Sequence, residues 1–267
     1  MTGLLRKPHP PDTDGLVHRI TPADAGWEHV GFELYRLDPG QSLERNAGER
    51  ETCLVLLDGR ADLMAGDRSW RDVGDRADLF EDKSPYALYV PFGEPWRVHA
   101  RSAIELAVCT APGGGAHRVR LIEPGDIGVR RRGRDGNARF VRNILDESIP
   151  AHALMVVEVV TPGGHWSSYP PHKHDTDDLP AESRLEETYY HRLRPRQGFA
   201  LQRIYTQDRS LDVSFAVEDG DVVLVPRGYH PCVAAWGYDL YYLNVMAGPK
   251  RVWRIRTDPD HYWLLSS

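Results

Sequence analysis

The sequence predicts an all-β protein with two copies of one β-sandwich or barrel in tandem and only a few short helices. Three observations lead there. From Trp27 onward, short apolar runs are broken by turn residues every eight to twelve positions. Helical periodicity of about 3.6 residues is not found over any long stretch. The pattern of the first half then returns in the second.

In chain order, the first dozen residues, rich in proline and charge, read as a loosely held arm. Residues 30–37 alternate and stop at Asp38-Pro39-Gly40. Residues 52–57 stop at Asp58-Gly59, a dipeptide that signals a hairpin, and 61–64 follow as the next strand. Residues 87–90 run into Pro91-Phe92-Gly93, with further strands at 96–99 and 104–108. The run Gly113-Gly114-Gly115 lacks the strand–turn–helix setting of a phosphate-binding loop and reads as a connector. A boundary here divides the chain into residues 1–135 and 136–267. Strands resume at 154–160. Residues 217–228 then echo 88–93, each an apolar strand ending in Pro-x-Gly, and Thr161-Pro162-Gly163-Gly164 echoes Asp38-Pro39-Gly40.

Composition excludes several function classes. With 267 residues and 41% hydrophobic content, the chain can bury ample core. A formal net charge of −6 argues against a nucleic-acid binder. The basic run Arg130-Arg131-Arg132-Gly133-Arg134 reads as a solvated connector or strand end rather than an anion site. Cys53, Cys109 and Cys232 stand far apart, mostly in apolar company, and read as buried reduced thiols. No run approaches the length of a membrane span, and residues 1–8 lack the apolar core of a signal peptide. The expectation is a cytoplasmic protein with no membrane partner.

The chemistry concentrates at Pro170-Pro171-His172-Lys173-His174-Asp175. Prolines keep this segment extended, and residues i and i+2 of an extended chain share a face, so both imidazoles project toward one point. Glu187 lies in an aromatic-rich strand, and His230 follows the turn Pro226-Arg227-Gly228-Tyr229. Strand parity selects Glu187 over Glu186 if Tyr189 and His191 point inward. Three neutral imidazoles and a carboxylate suit Mn, Fe, Co, Ni or Zn, with open positions that favour catalysis. A solvated histidine pair is the plain alternative. The order of these groups resembles the two motifs of the cupin superfamily, in which the pair, the Glu and the last His line the mouth of a jelly-roll barrel and hold one metal. This chain departs from them by the acidic insertion 175–184, by a single residue between Gly228 and His230, and by lacking an asparagine soon after His230; Asn244 lies a strand further on. The first half has Gly93-Glu94-Pro95 where the second has Gly228-Tyr229-His230, so its barrel is expected to be metal-free.

Longer stretches, 185–191, 198–206 and 220–231, with the ending 241–249, Trp253 and 258–261, resemble the 5-deoxy-glucuronate isomerase family of myo-inositol catabolism, a bicupin family similar to the uronate isomerase of pectin breakdown. The resemblance implies tandem cupin barrels and a divalent metal, zinc first, on His172, His174, Glu187 and His230. It implies an aldose–ketose isomerase that converts 5-deoxy-D-glucuronate to 2-deoxy-5-keto-D-gluconate through a metal-stabilised cis-enediol. Tyr189, His191, Tyr205 and Tyr242 are the candidates for moving the proton, with Tyr189 and Tyr242 preferred. A uronate carboxylate calls for arginine, for which Arg203 is the first choice and Arg227 the second. An Fe(II)-dependent dioxygenase and a non-catalytic sugar-binding cupin are the alternatives; a regulator would carry a DNA-binding helix-turn-helix, which the sequence lacks. A β-rich chain must also cover its sheet edges, which points to a homo-oligomer.

Overall fold

The computed structural model describes residues 3–46 and 48–265. Strands dominate, and helix is confined among the described residues to Pro22–Ala25 and the 3₁₀ turns Pro124–Asp126, Asp135–Asn137 and Pro259–Leu265. No helix among them is long and apolar enough to cross a membrane. The chain divides into two compact units: Pro8–Gly128 with Arg142–Val156, and the arm ending at Lys7 with Val129–Val141 and the chain from Val157 on. The expected boundary after residue 135 falls inside Val129–Val141, which belongs wholly to the second unit.

In the first unit one sheet runs in the order Arg120–Ile122, Tyr86–Val90, Arg50–Ala65, Ile104–Pro112, Gly31–Leu37, Leu16–Ile20. The hairpin expected at Asp58-Gly59 is not there. Arg50–Ala65 is one strand, and Asp58-Gly59 sits at a break in its register. Gly59 has φ +79, and a Cβ there would lie 2.2 Å from the Ala103 carbonyl oxygen, so only glycine fits. The break bends the strand. Its first half pairs with Tyr86–Val90 and Ile104–Pro112, its second with Arg68–Arg76 and Pro95–Ala100. Leu54 and Leu56 before the bend and Leu63 after it join Leu88, Val98 and Leu106 in one buried cluster. Cutting any of these leucines to alanine costs about 2–5 kcal/mol. Glu51 on the same strand is fully buried, and its carboxylate accepts the Tyr89 hydroxyl at 2.6 Å and the N–H groups of His152, Ala153 and Leu154 at 2.8, 2.6 and 2.6 Å.

The second unit carries a seven-stranded sheet in which Glu186–Arg194 lies between Val222–Val225 and Asp239–Ala247. Beside it stands a four-stranded sheet, Trp166–Ser167, Cys232–Ala234, Ala200–Tyr205, Asp212–Val217. Every residue of Val222–Val225 is buried, as its unbroken apolar run requires. The arm is less loose than its composition implies. Met1 and Thr2 lie outside the described residues, but Leu5 and Arg6 pair with Val223 and Val222, and Lys7 Nζ reaches Asp221 at 2.8 Å. The two Pro-x-Gly turns are alike in backbone: Gly93 has φ +80 and Gly228 φ +93.

Candidate metal centre

His172 lies in the short strand His172–Lys173, opposite Thr257 of Arg256–Thr257. His174 follows it and is tied to residue 185 twice over. Leu185 N–H donates to the His174 carbonyl at 2.8 Å, and the His174 ring Nδ1 lies 3.2 Å from the Leu185 carbonyl oxygen. Glu187, one percent exposed, sits on Glu186–Arg194 between Val225 and Met246. Glu186, on the opposite face, is buried as well. His230 is delivered by the turn at Gly228, where a Cβ would lie 2.6 Å from the Tyr205 carbonyl oxygen.

The three imidazoles share one feature. Each points Nδ1 at a backbone carbonyl: His172 at Pro170 (3.1 Å), His174 at Leu185 (3.2 Å) and His230 at Gly228 (2.8 Å). A carbonyl only accepts, so Nδ1 carries a proton in each ring, and in the neutral form of each ring Nε2 keeps its lone pair. Those of His174 and His230 lie 3.1 and 3.2 Å from Glu187 Oε2, and buried His230 Nε2 has no hydrogen-bond partner. Ligand atoms of His174, Glu187 and His230 all lie within 4.8 Å of one another. His172 stands slightly wider, its ring centroid 5.2 Å from that of His230. Lone pairs facing a carboxylate oxygen repel unless a proton or a cation lies between them. Carbonyls fixing the far nitrogen of each ring are the usual support of a metal-binding histidine. The donor set fits a divalent ion.

Electrostatics agree. Burial, followed by the charges of His230 and His174, lowers His172 to about 3. Burial pushes the Glu187 carboxyl up, but the imidazoles of His174 and His230 against its Oε2 outweigh burial and bring it down to about 2. Both groups are thus held in their ligand forms. Burial would also lower His174, but its hydrogen bond to Glu187 overrides that and raises it.

A cavity of about 150 Å³ opens onto this cluster. Tyr189 and Tyr242 line it with ring centroids 5.0 Å apart, and Tyr189 lies 5.9 Å from the His230 ring. Their hydroxyls meet Ser168 Oγ at 2.9 Å and Ser167 Oγ at 2.6 Å respectively. Burial pushes both phenols above their ordinary range, so both stay protonated. Asn244 lines the cavity as well, supplied by a neighbouring strand instead of the segment after His230. The two other tyrosine and histidine candidates sit apart from the cavity: Tyr205 donates to Asp258 at 2.7 Å, and His191 bonds Gln202 at 3.0 Å.

Arg203 is not part of the lining. Its guanidinium is exposed, bound to Asp212 at 2.7 and 2.8 Å, and stacked over Tyr205. In the strand Ala200–Tyr205 only Leu201 and Arg203 are exposed, and Arg227 is exposed too. The arginines that do line the cavity are Arg132 and Arg139. Arg132 belongs to the basic run read above as a solvated connector. Its signal in the sequence was the run itself. The insertion is ordered: Asp175–Asp178 pairs with Glu182–Arg184, and fully buried Glu182 accepts Lys173 Nζ at 2.8 Å.

A profile of the KduI/IolB family matches residues 4–264. A 5-deoxy-glucuronate isomerase of Geobacillus thermodenitrificans is 52% identical over 267 residues, covering 100% of this chain and 97% of the relative. One of Bacillus licheniformis is 44% identical, covering 99% of each. Among solved structures, an IolB-like protein from Salmonella typhimurium superposes with TM-score 0.95 at 48% identity, over 98% of this chain and 99% of that one. An oxalate decarboxylase of Lactobacillus farciminis superposes with TM-score 0.70 at 14% identity, over 99% and 90%. That last likeness is one of fold alone, and it bears out the tandem cupin architecture.

Proposed function

The chain belongs to the KduI/IolB family, and from that premise we propose that it is an aldose–ketose isomerase that converts 5-deoxy-D-glucuronate to 2-deoxy-5-keto-D-gluconate at the cluster of His172, His174, Glu187 and His230. The observation that carries the placement is the convergence of imidazole Nε2 atoms on Glu187 with every Nδ1 committed to a carbonyl. In this reading the four residues hold a divalent ion, zinc by preference, since three imidazoles and one carboxylate suit it, with Mn, Fe, Co and Ni as further fits. When bound, such an ion supplies Lewis acidity to the adjacent carbonyl and hydroxyl oxygens of an aldose.

The chain's own groups do the rest. Isomerisation carries a proton from C2 to C1 and leaves negative charge on oxygen in between. Tyr189 and Tyr242 remain neutral donors at neutral pH, so their hydroxyls can stabilise that oxygen, and the adjoining serine hydroxyls offer a path for the proton. Trp253 and Ile255 of the C-terminal segment wall the cavity and limit water around the reacting carbons.

We place the enzyme in the cytoplasm as a homo-oligomer with a small-molecule substrate and no nucleic-acid or membrane partner. Support for self-association is the outward row Trp166, Val233, Leu201 and Ala216 across the four-stranded sheet, in which Trp166 and Leu201 are 40% and 48% exposed. Light scattering of the purified protein tests it, and a monomer at working concentration overturns it. Metal analysis combined with an NMR assay on 5-deoxy-glucuronate tests the activity. Oxygen uptake with that sugar and no ketose product would favour the dioxygenase reading instead.

A further inference from the structure

The cavity also carries two guanidiniums that make no ion pair with a carboxylate among the described residues. Arg132 ends the strand Val129–Arg132, and Arg139 begins Arg139–Leu145. The 3₁₀ turn Asp135–Asn137 joins them. Asn137 shapes that turn: its Oδ1 accepts the Arg134 N–H at 3.2 Å, while its carbonyl oxygen and Oδ1 accept Arg139 Nη1 at 3.1 and 3.3 Å. Gly133, φ +72, lets the turn close, since a Cβ there would lie 1.8 Å from Asn137 Oδ1. The result is a positioned Arg139 and, at the cavity mouth, an Arg132 that makes no ion pair among the described residues. Burial, and then the like charges of Arg139 and Arg130, lower the Arg132 pKa. Two cations held together without an anion are unfavourable unless a ligand supplies one. The rest of the protein makes the contrast sharper: 39 acidic residues outnumber 33 basic ones, yet none among the described residues forms an ion pair with either guanidinium.

The site is therefore bipolar. His172, His174 and Glu187 line it together with Arg132 and Arg139, and the phenols connect the two sets: the Tyr189 ring lies 5.9 Å from that of His230 and 5.0 Å from that of Tyr242, whose hydroxyl feels the charges of Arg132 and Arg139. A uronic acid is bipolar in the same sense, with its aldehyde at C1 and its carboxylate at C6. We propose that Arg132 and Arg139 bind the C6 carboxylate of the substrate and so set C1 and C2 against the histidine cluster, which makes this pair, and not Arg203, the determinant of acid over neutral sugar. This rests on the isomerase reading above for the identity of the acid, but the anion subsite itself does not. Arg139, more enclosed and fixed by Asn137, presents a fork suited to a carboxylate, and exposed Arg132 adds charge at the entrance.

The test uses the full metal-loaded protein and the variants Arg132→Gln, Arg139→Gln and Arg139→Lys. Two substrates are compared: 5-deoxy-glucuronate and the neutral aldose in which the C6 carboxylate is replaced by a C6 primary alcohol. Arg139→Gln is expected to lower kcat/KM on the uronate on the order of 10²-fold, mainly through KM. Arg132→Gln is expected to lower it about 10-fold, and Arg139→Lys should fall between wild type and Arg139→Gln. Activity on the neutral sugar should stay within about 3-fold and metal content should not change. Equal losses on both sugars, or unchanged kcat/KM on the uronate, overturn the assignment. Calorimetry with the C1-reduced hydroxy acid separates this inference from the isomerase reading, because it needs no turnover. Binding by wild type that weakens on the order of 10²-fold in Arg139→Gln supports the subsite even if neither sugar is isomerised. Equal affinity in the two proteins, or no binding by either, overturns it.

Discussion

Asp175 Oδ2 accepts the backbone N–H of Gly228 at 2.7 Å. One hydrogen bond thus joins the segment carrying His172 and His174 to the turn that delivers His230, across 53 residues of sequence. Asp175 is itself oriented by Lys173, which also holds buried Glu182. The acidic insertion therefore supports the histidines; it is not an idle loop.

Removing that support should loosen the centre without deleting a ligand. Asp175→Ala is expected to weaken metal affinity about 10- to 100-fold, as loss of outer support commonly does. Asp175→Asn, which keeps an acceptor oxygen for Gly228, should lose less. Competition with a chelator measures both, and equal, wild-type affinity for both variants would show that the contact has no part in the centre.

Protons and metal should compete at His174. Its pKa lies above the ordinary 6.5 because the Glu187 hydrogen bond outweighs burial. A raised histidine stabilises the metal-free fold below its unfolded value, and that gain disappears as pH climbs through the folded value. Glu187, lowered to about 2, behaves oppositely: its contribution is present above the ordinary carboxylate range and is lost only as pH falls toward 2. A cation must displace the His174 proton, so metal affinity should rise with pH from about 6 and level off above the raised His174 value, with about one proton released per ion. Affinity that is flat between about pH 6 and 8, with no proton release, would remove the basis for this competition.

The phenols should matter to turnover more than to binding. Tyr189→Phe is expected to reduce kcat about 10²-fold or more, with KM within about 3-fold and metal retained. Tyr242→Phe should act in the same direction. Steady-state kinetics with metal quantitation checks this; near wild-type kcat in both variants would exclude the phenols from proton handling.

In the first unit, Glu51 is the residue to probe. Glu51→Gln turns one acceptor oxygen into a donor facing buried N–H groups and should cost about 3 kcal/mol or more. At about 2–4 °C per kcal/mol, calorimetry should read a fall of about 6–12 °C in Tm. A fall under about 2 °C would mean that the surrounding donors find other partners.

The convergence of His174, Glu187 and His230 was legible because its parts are encoded locally. His-x-His on an extended segment, strand parity at Glu187 and the Pro-x-Gly turn before His230 each follow from a few neighbouring residues. The arginines that line the cavity were not legible. Four arginines within five positions look like a solvated run, and what turns Arg132 and positions Arg139 is a 3₁₀ turn held by Asn137. Asp58-Gly59 misled for a related reason. A hairpin and a bulge both want glycine at positive φ, and only the distant partners 86–90 and 95–100 decide between them. Nothing in the acidic composition of the insertion 175–184 signals that Glu182 within it is fully buried and neutralised by Lys173.

The most direct measurement is reconstitution. Protein stripped of metal is titrated with zinc while conversion of 5-deoxy-glucuronate is followed by NMR, with Glu187→Gln and His230→Ala alongside. The account predicts no turnover in stripped protein, activity rising in proportion to bound ion up to one per chain, and neither bound ion nor turnover in the variants. Full turnover by stripped protein, or by either variant, would contradict it.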